Sequence, residues 1–531
     1  MATLNWIGKD AVANHDKEVP FKLLQKVPSA SVGKESKNLI IHGDNLEALK
    51  ALMPFYQGKV DCIYIDPPYN TGTEKWIYND RVNSPKIREW LGKVVGGDSE
   101  DLARHDKWLC MMYPRLSLLK QLLTPDGVIF VSIDENEIHD LLYLMEDIFK
   151  HNIGIFSWVR KKKGSHLSSS LRKMTEYVVA YTNSPRPVEL YGEQAYSDKW
   201  QPIVKRTNAF KELKIAAGVV STKLTDGRYK KGTYGNAGTA LEFLSDLGVS
   251  KGIIISPITV RARFVWTQAM LDSELGKGTL ISLSQKFGFN VLRYDQSEKF
   301  KTPSTLLSPE IGIGTNEDAS KELSDLFGTE MGKVFPYPKP VSLIKYLVNA
   351  VTRNNVNALI LDSFAGSGTT GHAVLELNKE DGGNRQFVLV EMEDSVAKKI
   401  TAERVKKAIK KSGFEGGFEY CELVKPLFDE NGQINESCSY DELASYIYFT
   451  EIQTNIDKKT IKNPFIGESH GTSYYLVYAG RGKNDLTRSA IAKLQITGPA
   501  VIYADRCLVN EDELKEKGIV FKQIPYEVKV Y

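Results

Sequence analysis

The 531-residue sequence predicts an α/β protein built on a doubly wound, mostly parallel sheet, with an inserted domain and a C-terminal α/β region. Three observations predict this class. Short apolar runs of strand character alternate with amphipathic helical runs from Asn38 to Tyr181 and again from Val341 to Lys411. Two of the strands end in turns rich in Pro or Gly, and the alternation lapses from about residue 184 to 332.

Taken in order, Asn38–Gly43 is the first strand, followed by Asp44-Asn45 in a capping position and a helical run Leu46–Met53. Lys59–Ile65 is a buried strand ending on Asp66-Pro67-Pro68-Tyr69. A polar segment to about Asp98 precedes a long helix, Asp101–Leu123, which Pro125-Asp126-Gly127 stops before a third strand, Val128–Ile133. A helix from Glu135 to Phe149 and strands Ile153–Val159 and Tyr177–Tyr181 complete the first α/β run. The second run comprises a helix Val341–Val351, a strand Asn357–Leu361, a Gly-rich turn opening a helix, a strand Arg385–Val390 and a basic helix Ala402–Lys411.

This divides the chain into an α/β half at 1–183, an insertion at 184–332, a second α/β half at 333–411 and a C-terminal domain at 412–531, set off by Gly413-Phe-Glu-Gly-Gly417. A composition of 42% hydrophobic and 25% charged residues suits a globular protein. The net charge of +3 leaves any polyanionic partner to be decided by local basic patches. Five cysteines without C-x-x-C spacing predict neither zinc nor a disulfide framework, so no metal is expected. The N-terminus lacks an apolar segment and no run of about 18 apolar residues occurs, so the expectation is a cytoplasmic protein without membrane contact.

Two motifs carry chemistry. The first is Asp362-Ser-Phe364-Ala-Gly366-Ser-Gly368-Thr-Thr370, at a strand-to-helix turn. Glycines there let the backbone pass close to a ligand at a helix N-terminus, and Glu391, one strand later, can accept hydrogen bonds from ribose hydroxyls. A P-loop is excluded because His372-Ala373 stands where Lys-Ser/Thr is needed. A dinucleotide fingerprint, Gly366, Gly368 and Gly371, and a plain tight turn both remain open.

The second motif is Asp66-Pro67-Pro68-Tyr69, at the strand edge where open α/β sheets place ligands. Two prolines stiffen the turn, so the Asp66 carboxylate and Pro67 carbonyl can point outward together while Tyr69 offers a flat face. That arrangement suits an aromatic amine: two acceptors on its N–H groups favour the pyramidal geometry of a nucleophile, and the aromatic face takes the ring. A rigid surface turn is the alternative.

Together the motifs resemble the amino-methyltransferases of the β group, in which Asp-Pro-Pro-Tyr precedes Phe-x-Gly-x-Gly along the chain. The resemblance is closest to the modification subunit of type III restriction-modification systems, through His42-Gly-Asp-Asn45, Asp66-Pro-Pro-Tyr-Asn-Thr-Gly72, Arg104–Arg115 and Phe335-Pro-Tyr-Pro-Lys-Pro340. It implies a circularly permuted Rossmann-like methyltransferase sheet with S-adenosylmethionine as methyl donor. Double-stranded DNA is the implied substrate, with N6 of a flipped-out adenine as the target. Asp66, Pro67, Pro68 and Tyr69 are the implied catalytic residues. Asp44, Lys339, Asp362, Phe364, Gly366, Gly368 and Glu391 are implied to bind the cofactor. The insertion becomes the target-recognition domain, and a homodimer and a helicase/nuclease restriction subunit become expected partners. Cytosine N4 or RNA methylation, or a DNA-binding specificity role, are the alternatives.

Arg160, Lys161, Lys162, Lys163, Arg172 and Lys173 form a segment without acidic residues that leaves the predicted sheet beside the catalytic edge, and it is the expected DNA-binding segment. A solvated charge run is the bland reading. Further basic residues lie in the insertion, including Arg261 and Arg263, without a choice of base contacts. Glu513-Leu514-Lys515 fits half of a nuclease motif but reads as a solvated helix face.

Overall fold

Ten strands share the central sheet of the computed structural model. It describes residues 5–6, 8–33, 36–71, 100–149, 151–163, 171–194, 200–293, 300–329, 334–413, 416–429, 433–452, 456, 458–480, 482 and 484–524. In chain order the strands are β1 (Lys22–Lys26), β2 (Leu39–His42), β3 (Val60–Ile65), β4 (Leu123–Ile133), β5 (His151–Val159), β6 (Thr175–Thr182), β7 (Leu306–Leu307), β8 (Leu359–Asp362), β9 (Gln386–Glu391) and β10 (Glu419–Pro426). Their spatial order is β1-β10-β2-β9-β8-β3-β4-β6-β5-β7. The six strands from β10 to β4 are mutually parallel, whereas β6 runs antiparallel to β4 and β5.

The near-continuous apolar character of the central strands follows from burial on both faces. Alternate residues face two separate cores: Ile41, Ile63, Ile65 and Leu361 enter one, and Ile40, Cys62, Tyr64 and Ile360 the other. Helices α1 (Asn45–Tyr56), α2 (Glu100–Leu122) and α3 (Ile138–Ile148) cover the first face. Helices α4 (Val341–Thr352), α5 (Thr369–Asp381) and α6 (Glu403–Ser412) cover the second. The chain leaves β3 through α2 towards β4 but leaves β8 through α5 towards β9. The crevice between β3 and β8, which are neighbours, is therefore where the winding reverses and a ligand can enter.

Three details differ from the sequence-based expectations. Strand β4 begins at Leu123, so Pro125-Asp126-Gly127 lies within it and the helix ends one residue earlier. The compact inserted unit spans 192–303, narrower than the expected 184–332, because β7 pairs with β5 and helix Asn316–Phe327 belongs with the main unit. The region after 412 is not wholly separate, since β10 pairs with both β1 and β2. Beyond it, Phe465–Ser469, Thr472–Leu476, Ala500–Ala504 and Ile519–Gln523 form their own four-stranded sheet.

The inserted unit holds a seven-stranded and a four-stranded sheet around its own core, including Leu213, Phe243, Val260, Phe264 and Trp266. Its strands are two to five residues long, which is why no single period marks them in the sequence. No helix among the described residues is long and apolar enough to cross a membrane.

Candidate active site

The turn after β3 is held from both sides. Trp108 on α2, fully buried, donates its indole N–H to the Pro68 carbonyl at 2.7 Å. Asn70 leaves the turn in the left-handed region (φ 57°) and donates its amide to the buried carboxyl of Glu137 and to the Arg104 carbonyl. Burial, moderated by the Asn70 hydrogen bond, pushes the Glu137 carboxyl up to about 8. These anchors fix Asp66 and Tyr69 at the carboxyl edge of the sheet.

The Tyr69 hydroxyl donates to Asp66 Oδ1 at 2.8 Å and lies 3.4 Å from Glu176 Oε2. Burial and the neighbouring Asp66 charge push that hydroxyl well above the usual tyrosine range, so it acts as a donor. The Lys339 ammonium reaches both Asp66 oxygens, at 2.8 and 2.7 Å, and stands 5.1 Å from the centre of the Tyr69 ring. Lys339, expected to contact the cofactor, thus lines the cavity described below but directs its charge at Asp66.

The loop after β8 is built by reciprocal hydrogen bonds. Asp362, fully buried, accepts from the Phe364 N–H at 3.0 Å and from the Thr370 hydroxyl. Burial pushes its carboxyl up to about 7, against the pull of those two donors. Gly366 and Gly368 adopt φ of 50° and 77°, and a Cβ on Gly368 would lie 3.0 Å from the Thr401 carbonyl oxygen. Arg404, fully buried, donates to the Ser367 and Thr369 hydroxyls at 2.8 and 2.7 Å, and the Thr401 hydroxyl donates to the Gly366 carbonyl at 2.6 Å. Burial lowers the Arg404 guanidinium to about 10. Glu391 accepts the Gly366 N–H at 2.8 Å on one oxygen and the Glu393 N–H at 3.0 Å on the other, leaving further lone pairs for a ligand.

Asp66, Lys339, Phe364, Gly366 and Glu391 converge on one cavity of about 230 Å³, closed on one side by Phe335 and Tyr337. Asp362 and Pro68 also line it, whereas Pro67, Tyr69, Asp44 and Gly368 do not. Asp44 instead caps α1, accepting from Leu46 and Glu47 N–H at 2.9 and 3.1 Å, with Arg115 3.5 Å from its other oxygen. Gly368 starts α5 behind the loop. Sequence reasoning missed Glu176, Glu137, Trp108 and Arg404. Trp108 lies inside the stretch Arg104–Arg115 and Arg404 inside the basic helix Ala402–Lys411, but sequence reasoning assigns neither a role there.

Within the expected DNA-binding segment, Arg160 pairs with Glu176, Lys162 with Asp318 at 3.0 Å, and Lys173 with Glu135. Lys161, Lys163 and Arg172 are described without such a carboxylate partner. The serines at 168–170 lie outside the described residues. Glu513 pairs with Arg488 and Lys517 at 2.8 and 3.0 Å, and Leu514 is buried, so that stretch is a packed surface helix.

An acidic acceptor turn and a glycine loop with its acidic neighbour meet where the sheet reverses its winding, the place where α/β sheets bind nucleosides. Residues 60–403 match the N6/N4 DNA methylase family, and the chain belongs to that family. It is a DNA methyltransferase homologous to type III modification subunits. The chain is 30% identical over 455 residues to the EcoPI Mod subunit of Escherichia phage P1, covering 77% of this chain and 68% of that protein. Against the StyLTI Mod subunit of Salmonella typhimurium (strain LT2) it is 30% identical over 420 residues, or 76% and 60% of the two chains. Against the EcoP15I Mod subunit of Escherichia coli it is 28% identical over 476 residues, or 80% and 71%. The chain therefore spans 60 to 71% of the length of these relatives.

Proposed function

We propose that the chain transfers a methyl group from S-adenosylmethionine to N6 of an adenine flipped out of double-stranded DNA, as the modification subunit of a type III restriction-modification system. The observation that carries this reading is the shared cavity. Asp66, the acceptor for an amine, and the Gly366–Glu391 cradle, suited to a nucleoside, open onto the same 230 Å³.

The residues fit the cofactor. Gly366 holds a left-handed φ of 50°, which favours glycine, and a Cβ there would stand in contact with the Phe335 ring at the cavity wall. Glu391 offers its remaining lone pairs to ribose hydroxyls, and Phe335 and Phe364 form apolar walls. When bound, S-adenosylmethionine supplies an electrophilic methyl on a sulfonium. Asp66 accepts an N–H of the incoming amine and, with the Pro67 carbonyl, favours a pyramidal nitrogen whose lone pair points at the loop side of the cavity. Tyr69 fixes Asp66 through its hydroxyl and offers its ring to the extruded base, offsetting part of the few kcal/mol that flipping costs.

The inserted unit at 192–303 is proposed as the target-recognition domain, and the sheet as the circularly permuted Rossmann-like form. A homodimer and a separate helicase/nuclease subunit are the proposed partners, in keeping with the similarity to type III Mod subunits. Lys161, Lys163 and Arg172 are the first candidates for phosphate contacts. The test is modification-sensitive sequencing of DNA from a methylation-free host expressing the chain. N6-methyladenine within one asymmetric motif is the expected result, N4-methylcytosine would replace the adenine assignment, and unmodified DNA would refute the activity.

A further inference from the structure

Asp66 already holds an amine. The Lys339 ammonium meets both carboxylate oxygens and lies above the Tyr69 ring, with its Nζ 5.8 Å from the centre of the Trp158 ring. An amino group entering between Asp66 and Tyr69 needs the same acceptor and the same aromatic face. We infer that Lys339 is an internal stand-in for the target amino group, seated on Asp66 in the base-free enzyme and handed to Glu176 when a base enters. The inference rests on the proposed reading that Asp66 binds the target amine.

The energetics require a second acceptor. A neutral amine can donate to the Asp66 carboxylate but brings no charge to replace the ammonium, and a shielded ammonium left without an anion is strongly disfavoured, so Lys339 leaves Asp66 only if another carboxylate receives it. Glu176 provides that place, with Oε2 3.8 Å from Lys339 Nζ. Its other oxygen is held by Arg160, and its side chain is 6% exposed, so the carboxylate is fixed and shielded from water. Arg160 thereby acts through Glu176 rather than on a phosphate. The swing involves the Lys339 side chain alone. Its carbonyl accepts the Thr369 hydroxyl of the glycine loop at 3.2 Å, and Pro340 follows as the N-cap of α4. The backbone stays tied to the cofactor side while the ammonium moves, and no covalent bond changes.

Lys339 and Glu176 are thus positioning residues, and a double-mutant cycle tests them. Glu176→Gln, Lys339→Met and the double variant are compared with the wild type in single-turnover methyl transfer on duplexes carrying the chain's own motif. Thermal melting and calorimetric S-adenosylmethionine binding report folding. Glu176→Gln should slow transfer about tenfold or more in the wild-type background and about twofold or less in the Lys339→Met background. It should also weaken binding of the adenine duplex while leaving binding of the same duplex with purine, which lacks the amino group, unchanged. Equal losses in both backgrounds, no loss in the wild-type background, or equal weakening of both duplexes would overturn the hand-over. Should Glu176→Gln fail to fold, Glu176→Asp enters the same cycle with the same criteria. A wild type that methylates no adenine overturns the substrate reading and this inference with it, whereas failure of the cycle alone leaves the substrate reading intact.

Discussion

The two ends of the central sheet offer opposite lessons about what makes a site. At the amino ends of β2, β3, β8 and β9 lies a cavity of about 760 Å³, lined among others by Phe21, Leu39, Phe55, Tyr56, Lys59 and Leu359. At the carboxyl ends of β3, β8 and β9 the cavity is only about 230 Å³. The smaller one is the proposed site of chemistry, because there Asp66, Asp362 and Glu391 converge from the ends of three strands, while the larger one lies at the opposite ends of the strands. The contrast is sharpest along β3 itself, where Asp61 and Asp66 sit at opposite ends. Asp61 accepts the Leu359 N–H at 2.8 Å and the Asn355 amide at 3.2 Å, joining β3 to the start of β8. Among the described residues, Asp66 accepts from side-chain donors alone, the Lys339 ammonium and the Tyr69 hydroxyl. Convergent groups with replaceable partners, not volume, mark the reactive edge.

The largest expected effect separates these two aspartates. Asp66→Ala should lower methyl transfer by about 10²–10³-fold or more, as loss of a preorganised polar group does, with thermal stability and cofactor binding retained. Asp61→Ala should leave kcat near wild type but destabilise by about 1–3 kcal/mol, because the Leu359 N–H and the Asn355 amide lose their acceptor. Single-turnover transfer beside urea unfolding measures both. An Asp61→Ala enzyme that folds but cannot transfer methyl would break the comparison.

Glycines sharpen it next. Gly58, in the turn before β3 at the rear, and Gly368, in the loop at the front, have similar φ of 64° and 77°. A Cβ at Gly58 meets nothing within 4 Å, but one at Gly368 lies 3.0 Å from the Thr401 carbonyl oxygen. Gly58→Ala should cost about 1 kcal/mol, the strain of the left-handed backbone alone. Gly368→Ala should cost more than that and also weaken S-adenosylmethionine binding, since Thr401 must move and its hydroxyl holds the Gly366 carbonyl. Equal losses at the two positions would show that backbone strain, and not the crowding behind the loop, governs the glycine.

Much of this edge was legible in the sequence. The apolar runs and the two turn motifs are local properties, so the strands, the helices and the meeting of Asp66 with Gly366 follow from the chain order of an α/β sheet. What was not legible depends on side chains distant in sequence. Lys339 meets Asp66 across 273 residues, and Arg404 reaches Ser367 from a helix whose basic composition suggests only a solvated face. Nothing local reveals that Arg160 and Lys173, expected to contact phosphates, also pair with Glu176 and Glu135. Strand pairing is likewise nonlocal, so a boundary at 412 puts β10 in a separate domain although it lies between β1 and β2 in the main sheet.

Proton linkage offers a smaller effect. Asp362 is held at about 7 by burial, above its ordinary value, so the folded protein keeps this proton over a range where the unfolded chain releases it. The sign follows: this group's contribution to stability falls as pH rises from about 4 to about 7. Asp362→Asn, which mimics the protonated carboxyl, should flatten that part of the Tm-against-pH curve without abolishing the fold. A slope unchanged by the substitution would place the linkage elsewhere, with the raised Glu137 as the next group to test.

The smallest expected difference concerns two tyrosines. Tyr69 at the front and Tyr56 at the rear both have hydroxyls raised by burial, Tyr56 to about 12, so neither ionises near neutrality. Tyr69 places its hydroxyl on Asp66, the proposed catalytic group. Tyr69→Phe keeps the ring that faces the base but removes one donor from Asp66, and a lost hydrogen bond of about 1 kcal/mol corresponds to roughly a fivefold fall in kcat. Duplex affinity should change less, since the ring remains. Tyr56→Phe should leave both quantities as they are. The ratio of the two effects on kcat is the measurement: a ratio near one would mean that the Asp66–Tyr69 hydrogen bond stabilises the fold without shaping the nucleophile. The ring's stacking would then be the motif's whole contribution at that position.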